Sequence, residues 1–154
     1  MSEERRVLIV ESRFYPDIAD ELLKGAVAVL DKAGVSYDTL AVPGVFEVPA
    51  AIRIAIRAME VHSATTDHVG FVALGTVIRG ETDHYEHISR EATRALMDIT
   101  VQHSMALGFG VLTCETAEQA RKRAATGQGN KGAGAARACL RMMELKKELR
   151  FAPR

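Results

Sequence analysis

The sequence has little cysteine and no surplus of charge of either sign. Cys114 and Cys139 are its only cysteines, and neither stands in a spacing typical of a metal site. We therefore expect two free, buried thiols in a reducing compartment. Lysine plus arginine and aspartate plus glutamate number 20 each, so the chain lacks the basic surplus that proteins use to bind nucleic acid or membrane surfaces.

Long apolar runs are also missing. No stretch reaches the length of a transmembrane helix, and the apolar run at residues 7–10 is too short for a signal peptide. The 154 residues suffice for one domain, residues 1–154, with a hydrophobic core of its own. We expect a cytoplasmic protein that binds neither nucleic acid nor membrane.

Short apolar runs alternate with amphipathic segments along the chain. The runs are rich in branched residues, as in strands that are buried on both faces, and stripes at helical spacing follow them. Strands are predicted at residues 6–10, 35–42, 68–75 and 110–114. Helices are predicted to begin near Asp17, Pro49, Asp83, Thr116 and Ala133. This alternation predicts an α/β fold with a parallel sheet covered on both faces.

The best candidate for a reaction site lies in residues 73–87. This stretch leaves the third predicted strand, breaks at Gly75, passes through a polar turn and enters a helix. Ligands of open α/β sheets bind at the carboxyl ends of the strands, and helix N-termini favour anions. Thr82 and His84 are predicted to lie at such a point. His84 is either a general acid/base or a structural histidine of the helix.

Three further residues each allow two interpretations. Phe14 follows the first strand and either stacks on a planar ligand or covers the end of the sheet. Glu47 follows the second strand and is either a ligand-binding or a solvated carboxylate. Arg123 lies late in a helix, where it either offsets the helix dipole or binds a phosphate.

A glycine-rich segment matches a nucleotide-binding pattern by letter. Gly127, Gly129 and Gly132 have the spacing of the dinucleotide fingerprint, but that motif must follow a strand, and this one follows a helix. Lys131 is followed by glycine, which also excludes a P-loop. A turn between two helices is the structural interpretation.

Together these segments resemble the lumazine synthase family over almost the whole chain, from about Val7 to Leu149. The resemblance rests on motifs that occur in the family's order and at its spacing. They are Ser12-Arg13-Phe14, Pro43-Gly44-Val45-Phe46-Glu47-Val48-Pro49, Gly75-Thr76-Val77-Ile78-Arg79-Gly80 with Thr82, His84 and Tyr85, Gly110-Val111-Leu112-Thr113, and Gly129-Asn130-Lys131-Gly132.

The resemblance implies a fold and a reaction. The fold is a three-layer α/β/α sandwich with a four-stranded, parallel, flavodoxin-like sheet. The reaction condenses 5-amino-6-(D-ribitylamino)uracil with 3,4-dihydroxy-2-butanone 4-phosphate, forming 6,7-dimethyl-8-ribityllumazine and releasing phosphate and water. It belongs to riboflavin biosynthesis and uses neither a cofactor nor a metal.

The resemblance also implies roles for individual residues. His84 matches the proton-transfer residue. The pyrimidine substrate is bound by residues that match Phe14, Val45, Phe46, Glu47, Thr76, Val77, Ile78 and Phe109. The phosphate-bearing substrate is bound by residues that match Glu81, Thr82, Arg123 and Lys131.

The expected partners are other copies of the chain and, by resemblance, riboflavin synthase. The family forms pentameric rings in which Phe109 comes from the adjacent subunit. The turn at residues 125–129 departs from the pattern of members that form sixty-subunit shells, and a decamer is the alternative to the pentamer. Gly134 stands where many members carry an acidic partner for the lysine that matches Lys131.

Two other functions compete with the enzyme at this point. A flavin or lumazine carrier would have no use for a phosphate-binding cation beside an acid/base. A signalling domain of the same fold would need a cluster of carboxylates after the first strand, which the sequence lacks.

Overall fold

A computed structural model describes residues 5–149 of the chain. Four strands form one parallel sheet in the order β2-β1-β3-β4. The strands are β1 (Arg6–Ser12), β2 (Ser36–Val42), β3 (Gly70–Ile78) and β4 (Leu107–Cys114). The helices are α1 (Pro16–Lys32), α2 (Glu47–Glu60), α3 (His84–Gln102), α4 (Ala117–Ala124) and α5 (Lys131–Glu148).

The helices cover both faces of the sheet. Buried side chains of α1, α4 and α5 pack against one face of β1 and β3, and those of α2 and α3 pack against the other. This is the three-layer α/β/α sandwich, and both the predicted parallel sheet and the flavodoxin-like fold are confirmed. Because every strand runs in the same direction, the carboxyl ends of all four strands lie along one edge of the sandwich.

The predicted break of the third strand at Gly75 is wrong, since β3 continues to Ile78. Gly75 stays in the strand because its missing side chain leaves room for a neighbour. A Cβ atom at this position would lie 2.7 Å from Cγ2 of Val45 and 3.2 Å from Cβ of Ser12. Close packing between β3 and the segment before α2 therefore explains this glycine, and a turn does not.

The fourth strand also differs from its prediction, because it begins at Leu107 and not at Gly110. Phe109 consequently lies inside β4, opposite Ala73 of β3. Gly108 allows this earlier start, since a Cβ on it would collide with the backbone carbonyl of Ala135 in α5.

Three helix starts were predicted differently from what the structure shows, and one of them is α5, which begins at Lys131 and not at Ala133. Asp17 does not cap α1, which begins at Pro16 and follows Tyr15 without a side-chain cap. Glu47 is not a loop residue, because it is the first residue of α2. Pro49 lies in the first turn of that helix, as predicted. The third helix ends at Gln102.

None of the helices within residues 5–149 combines the length and apolar character needed to cross a membrane.

An ion-pair network lies at the end of the sheet opposite the strand carboxyl ends. Asp38 accepts hydrogen bonds from Arg6 Nη2 at 2.7 Å, and its Oδ2 lies 2.8 Å from His68 Nε2. The Arg6 guanidinium, followed by His68, lowers the pKa of Asp38 below its ordinary value. A carboxyl whose pKa is lower in the folded state stabilises the fold at neutral pH, and the stabilisation is lost as the pH falls below about 4.

We therefore expect Asp38→Asn to lower the free energy of unfolding at pH 7 by up to about 1 kcal/mol, because the pair is partly exposed to solvent. The loss should be smaller at pH 3, where the Asp38 carboxyl of the unfolded chain is largely protonated and part of the stabilisation is already gone. Urea denaturation at the two pH values measures both differences. Asp67→Asn, at an exposed aspartate two residues after Thr65, is the control. An equal loss at pH 7 and pH 3 would contradict the electrostatic origin.

Candidate active site

Two exposed phenylalanines stand near the carboxyl ends of β1 and β2. Phe14 is 68% exposed and touches Tyr15 edge to face, with ring centroids 5.0 Å apart. Phe46, just before α2, is 69% exposed. Apolar rings of this size are normally buried, so both offer faces on which a planar ligand can stack. Val45, between Gly44 and Phe46, is buried and packs into the core instead.

Glu47 points its carboxylate back toward the turn that precedes α2. Its Oε2 would lie 3.2 Å from a Cβ on Gly44, and its backbone N–H donates to the Gly44 carbonyl at 3.1 Å. The carboxylate therefore stays at the helix N-terminus, half-exposed, where the dipole stabilises its negative charge. It is available to accept hydrogen bonds from hydroxyl or N–H groups of a ligand.

The end of β3 offers backbone groups. The ladder between β1 and β3 ends at Leu74, whereas the ladder between β3 and β4 continues to Ile78. On the side that faces β1, the backbone N–H and C=O groups of residues 76–78 are therefore not part of the ladder between β1 and β3. Thr76 and Val77 bury their side chains in the core. This segment can bind the polar edge of a ring through its peptide groups.

His84 is the first residue of α3 and is exposed, as are Glu81 and Thr82 in the turn before it. Thr82 Oγ1 accepts a hydrogen bond from the His84 backbone N–H at 3.3 Å. The prediction that His84 lies in the first turn of a helix after a strand end is confirmed. The imidazole stands where a ligand at the strand ends can reach it.

The one arginine in this turn is already engaged. Arg79 pairs with Glu86, and its Nε donates to Glu115 Oε2 at 2.7 Å. These carboxylates, Glu86 first, raise the pKa of Arg79, and its guanidinium lies 4.5 Å from the centroid of the Tyr85 ring. This arrangement could not be predicted from local sequence patterns, because Glu115 is 36 residues from Arg79. Arg79 therefore offers little free charge to an anionic ligand.

A second group of site residues lies along β4. A cavity of about 340 Å³ is lined by Phe109, Val111, Leu112, Thr113, Arg123, Gly129 and Lys131. Lys131 Nζ lies 5.8 Å from the centroid of the Phe109 ring, and Arg123 Nη1 donates to Cys114 Sγ at 3.3 Å. Neither cation has a carboxylate within ion-pair distance among residues 5–149. Two uncompensated positive charges beside an aromatic ring suit a ligand that carries both a phosphate and a flat group.

The neighbouring basic residue of α4 behaves differently. Arg121 Nε donates to Asp17 Oδ2 at 2.9 Å, so its charge is compensated. Arg123 lies in the same last turn, where a cation offsets the helix dipole, but it also lines the cavity. Arg123 therefore lies where it can offset the dipole of α4 and, at the same time, where it can contact a ligand in the cavity.

The glycine-rich segment connects α4 and α5, and Gly127 and Gly129 lie in the turn as predicted. Gly132 does not, because α5 begins at Lys131 and not at Ala133. Lys131 therefore occupies a helix N-terminus beside the cavity. Gly134 has open space around it and no side chain that could pair with Lys131.

The structure does not bring the two groups of residues together within one chain. The lining of the β4 cavity includes none of Phe14, Glu47 and His84. Strand β3 separates β1 from β4, and Phe109 lies near the beginning of β4, far from the strand carboxyl ends. Within residues 5–149, one group thus has an exposed imidazole and exposed aromatic rings, and the other has two cations that are not in ion pairs.

Within the described part of the chain, no three or more His, Cys, Asp or Glu residues are grouped so that they could hold a metal ion.

Comparison with known proteins gives a consistent result. A family model described as 6,7-dimethyl-8-ribityllumazine synthase matches residues 4–147. The 6,7-dimethyl-8-ribityllumazine synthase of Nitrobacter hamburgensis is 54% identical over 94% of this chain and 87% of its own length. The 6,7-dimethyl-8-ribityllumazine synthase 1 of Rhizobium meliloti is 53% identical over 93% and 92%. That of Paramagnetospirillum magneticum is 50% identical over 94% and 96%.

Proposed function

The chain belongs to the 6,7-dimethyl-8-ribityllumazine synthase family, and we propose that its two groups of site residues form one active site across the contact between neighbouring subunits. The enzyme condenses 5-amino-6-(D-ribitylamino)uracil with 3,4-dihydroxy-2-butanone 4-phosphate in riboflavin biosynthesis. The observation that carries the proposal is the separation of the free cations from the exposed histidine.

The pyrimidine substrate binds at the strand carboxyl ends. Phe14 stacks on the ring, and the free backbone edge of residues 76–78 pairs with the amide groups of the uracil, because both present donors and acceptors in one plane. Glu47 accepts hydrogen bonds from the ribityl hydroxyls. Val45 and Phe46 complete this side by apolar contact, and Phe109 of the adjacent subunit covers the ring.

The phosphate-bearing substrate binds between the turn before α3 and the neighbour's cavity. Arg123 and Lys131 of the neighbour neutralise the phosphate, and both charges are available because neither has a carboxylate partner in the described part of the chain. Thr82 adds its hydroxyl. Glu81 contributes its backbone N–H, since its carboxylate would repel the phosphate.

His84 transfers protons during the condensation. The 5-amino group of the pyrimidine attacks the ketone and one water leaves as the imine forms. Phosphate is then eliminated, which leaves an enol that tautomerises to a second ketone. The ribitylamino nitrogen attacks this ketone and closes the new ring with loss of a second water. Each of these steps moves a proton near neutral pH, where an imidazole can both give and accept one. Orientation of the two bound substrates supplies much of the rate.

We propose that the subunits assemble into a ring, and that the ring is a pentamer, as the family resemblance implies. Exposed apolar side chains on the outer faces of α2 and α3 support this, since Ile54, Met97 and Val101 are 69%, 61% and 70% exposed. Apolar surface of this kind is normally covered by a partner. A head-to-tail contact places the β4 cavity of one subunit against the strand ends of the next and closes into a ring.

Two finer proposals follow from the same family assignment. We propose that the enzyme works in the cytoplasm, because Cys114 and Cys139 are free, buried thiols, as predicted. We also propose riboflavin synthase as a partner protein.

The function is tested by incubating the chain with both substrates and following lumazine fluorescence together with phosphate release. We expect one phosphate per lumazine formed. Tight binding of the pyrimidine without product or phosphate would contradict the proposed function and favour a carrier.

Arg123→Ala should weaken the phosphate-bearing substrate far more than the pyrimidine. Loss of a charge-assisted hydrogen bond costs about 1.5–3 kcal/mol, which corresponds to roughly a ten- to hundredfold rise in KM. Steady-state kinetics with each substrate varied in turn measures the effect. Arg121→Ala, in the same turn of α4, removes only a surface ion pair and is the control. Equal weakening of both substrates would indicate misfolding or a different site.

A further inference from the structure

Asn130, the residue before Lys131, has an uncommon backbone conformation. Its φ and ψ are 49° and 50°, in the left-handed region, and it forms the N-cap of α5 without a side-chain capping hydrogen bond. Asparagine tolerates this conformation better than most residues. The left-handed residue sets the direction in which the chain enters α5, and therefore the direction in which Lys131 leaves it.

The Asn130 side chain occupies a notch in α1. The notch exists because residue 25 is glycine: a Cβ there would overlap Asn130 Oδ1 and would lie 3.1 Å from the Ala133 backbone nitrogen. Asn130 Oδ1 is buried and has no hydrogen-bond partner among residues 5–149. The side chain is thus held in the notch by shape and not by a polar contact.

Backbone hydrogen bonds tie the same residue to the helix that carries Arg123. The Asn130 N–H donates to the Ala125 carbonyl at 3.0 Å, and the Gly129 N–H donates to the Lys122 carbonyl at 3.0 Å. Residue 130 therefore links three helices, because its side chain contacts α1, its backbone contacts the end of α4 and it begins α5.

Among residues 5–149, no hydrogen bond or ion pair orients the Lys131 side chain. Its nearest described partner is the Phe109 ring, 5.8 Å from Nζ, and residue 134, one turn into α5, is a glycine. We infer that Asn130 and the Gly25 notch are positioning residues that fix Lys131 relative to Arg123. The inference rests on the proposed function, in which these two cations bind the substrate phosphate.

Gly25→Ala tests the notch. The added methyl group must push the Asn130 side chain out of place and shift the start of α5. Because small misplacements of a binding group weaken its contribution strongly, we expect the KM of the phosphate-bearing substrate to rise about five- to twentyfold. The dissociation constant of the pyrimidine should stay within about twofold. Gly134→Ala, in open space on α5, is the control and should change neither value.

A rescue experiment separates positioning from general destabilisation. Asn130→Gly removes the atom that the new methyl group would meet and keeps the left-handed conformation accessible. In the Gly25→Ala background it should return the KM of the phosphate-bearing substrate to within about threefold of wild type. A double variant as impaired as Gly25→Ala would overturn the inference, as would a Gly25→Ala enzyme with unchanged KM.

A second pair of variants covers the case in which Gly25→Ala does not fold. Asn130→Ala and Asn130→Gly both remove the amide, but only alanine resists the left-handed conformation. We expect a raised KM for the phosphate-bearing substrate with alanine and a nearly unchanged one with glycine. Equal values for the two variants would contradict the inference. If the Asn130 variants contradict the inference, Arg123→Ala and Lys131→Ala show which proposal has failed. An unchanged KM in these two variants means that the proposed phosphate site is wrong. A raised KM means that only the positioning role of Asn130 is wrong.

Discussion

Replacing His84 with alanine is expected to lower kcat by roughly ten- to a thousandfold, with the smaller loss if water can replace the imidazole. His84 is the first residue of α3, exposed at the strand ends, and the reaction requires several proton transfers. The dissociation constant of the pyrimidine should change little, because the proposed pyrimidine contacts come from Phe14, Glu47 and the end of β3.

His87→Ala is the matched control for this prediction. His87 lies three residues further along the same helix and is exposed, with Nε2 3.0 Å from Asp83 Oδ2. Stopped-flow or steady-state kinetics of both variants, with folding checked by circular dichroism, gives the comparison. Unchanged turnover in a folded His84→Ala enzyme would remove the imidazole from the mechanism.

Two impaired variants should regain activity when they assemble together, measured at a concentration of the phosphate-bearing substrate well below the raised KM of Arg123→Ala. A His84→Ala subunit keeps Arg123, and an Arg123→Ala subunit keeps His84. Suppose that each site takes its histidine from one subunit and its arginine from the next. In a random 1:1 mixture, half of the sites then have an intact histidine, and half of those sites also have an intact arginine. A 1:1 mixture should then recover about a quarter of the wild-type activity.

The same experiment has a clear negative outcome. If each site were built within one chain, every site in the mixture would carry one of the two lesions. Co-expression of differently tagged subunits, followed by purification through both tags, supplies the mixed assemblies. Activity no higher than that of the better single variant would contradict a shared site, and His84→Ala mixed with wild type is the control for assembly.

Much of the fold could be predicted because it depends on local patterns. Apolar runs of branched residues marked the buried strands, and the strand–helix alternation indicated a parallel sheet. The start of α3 could also be predicted, since His84 follows a strand, two glycines and a polar turn. The glycines at residues 127–132 were assigned to a turn because they follow a helix; the structure agrees for Gly127 and Gly129, whereas Gly132 lies in the first turn of α5.

The features that could not be predicted depend on contacts between distant parts of the chain. Gly75 looked like a strand breaker, but it accommodates Val45, which is 30 residues earlier in the sequence. Phe109 was assigned to a position before β4 because glycines flank it. In the structure, Gly108 allows α5 to approach β4, and the strand therefore starts earlier.

Only the family resemblance predicted that the site residues fall into two groups, one at the strand carboxyl ends and one around the β4 cavity. No sequence pattern shows that Arg79 is compensated by Glu86 and Glu115, while Arg123 and Lys131 have no acidic partner among residues 5–149. That difference decides which cations can bind a phosphate, and it becomes visible only when the ion pairs are known. The role of Gly25 is hidden for the same reason, since Asn130 lies more than a hundred residues away.

The mass of the catalytically active species tests the shared site most directly. Native mass spectrometry and activity measured over the same dilution series would relate assembly to turnover. The predicted result is an active species of about five times the 16.8 kDa of one chain, with activity lost as it dissociates. A monomer that retains full activity would contradict the shared active site.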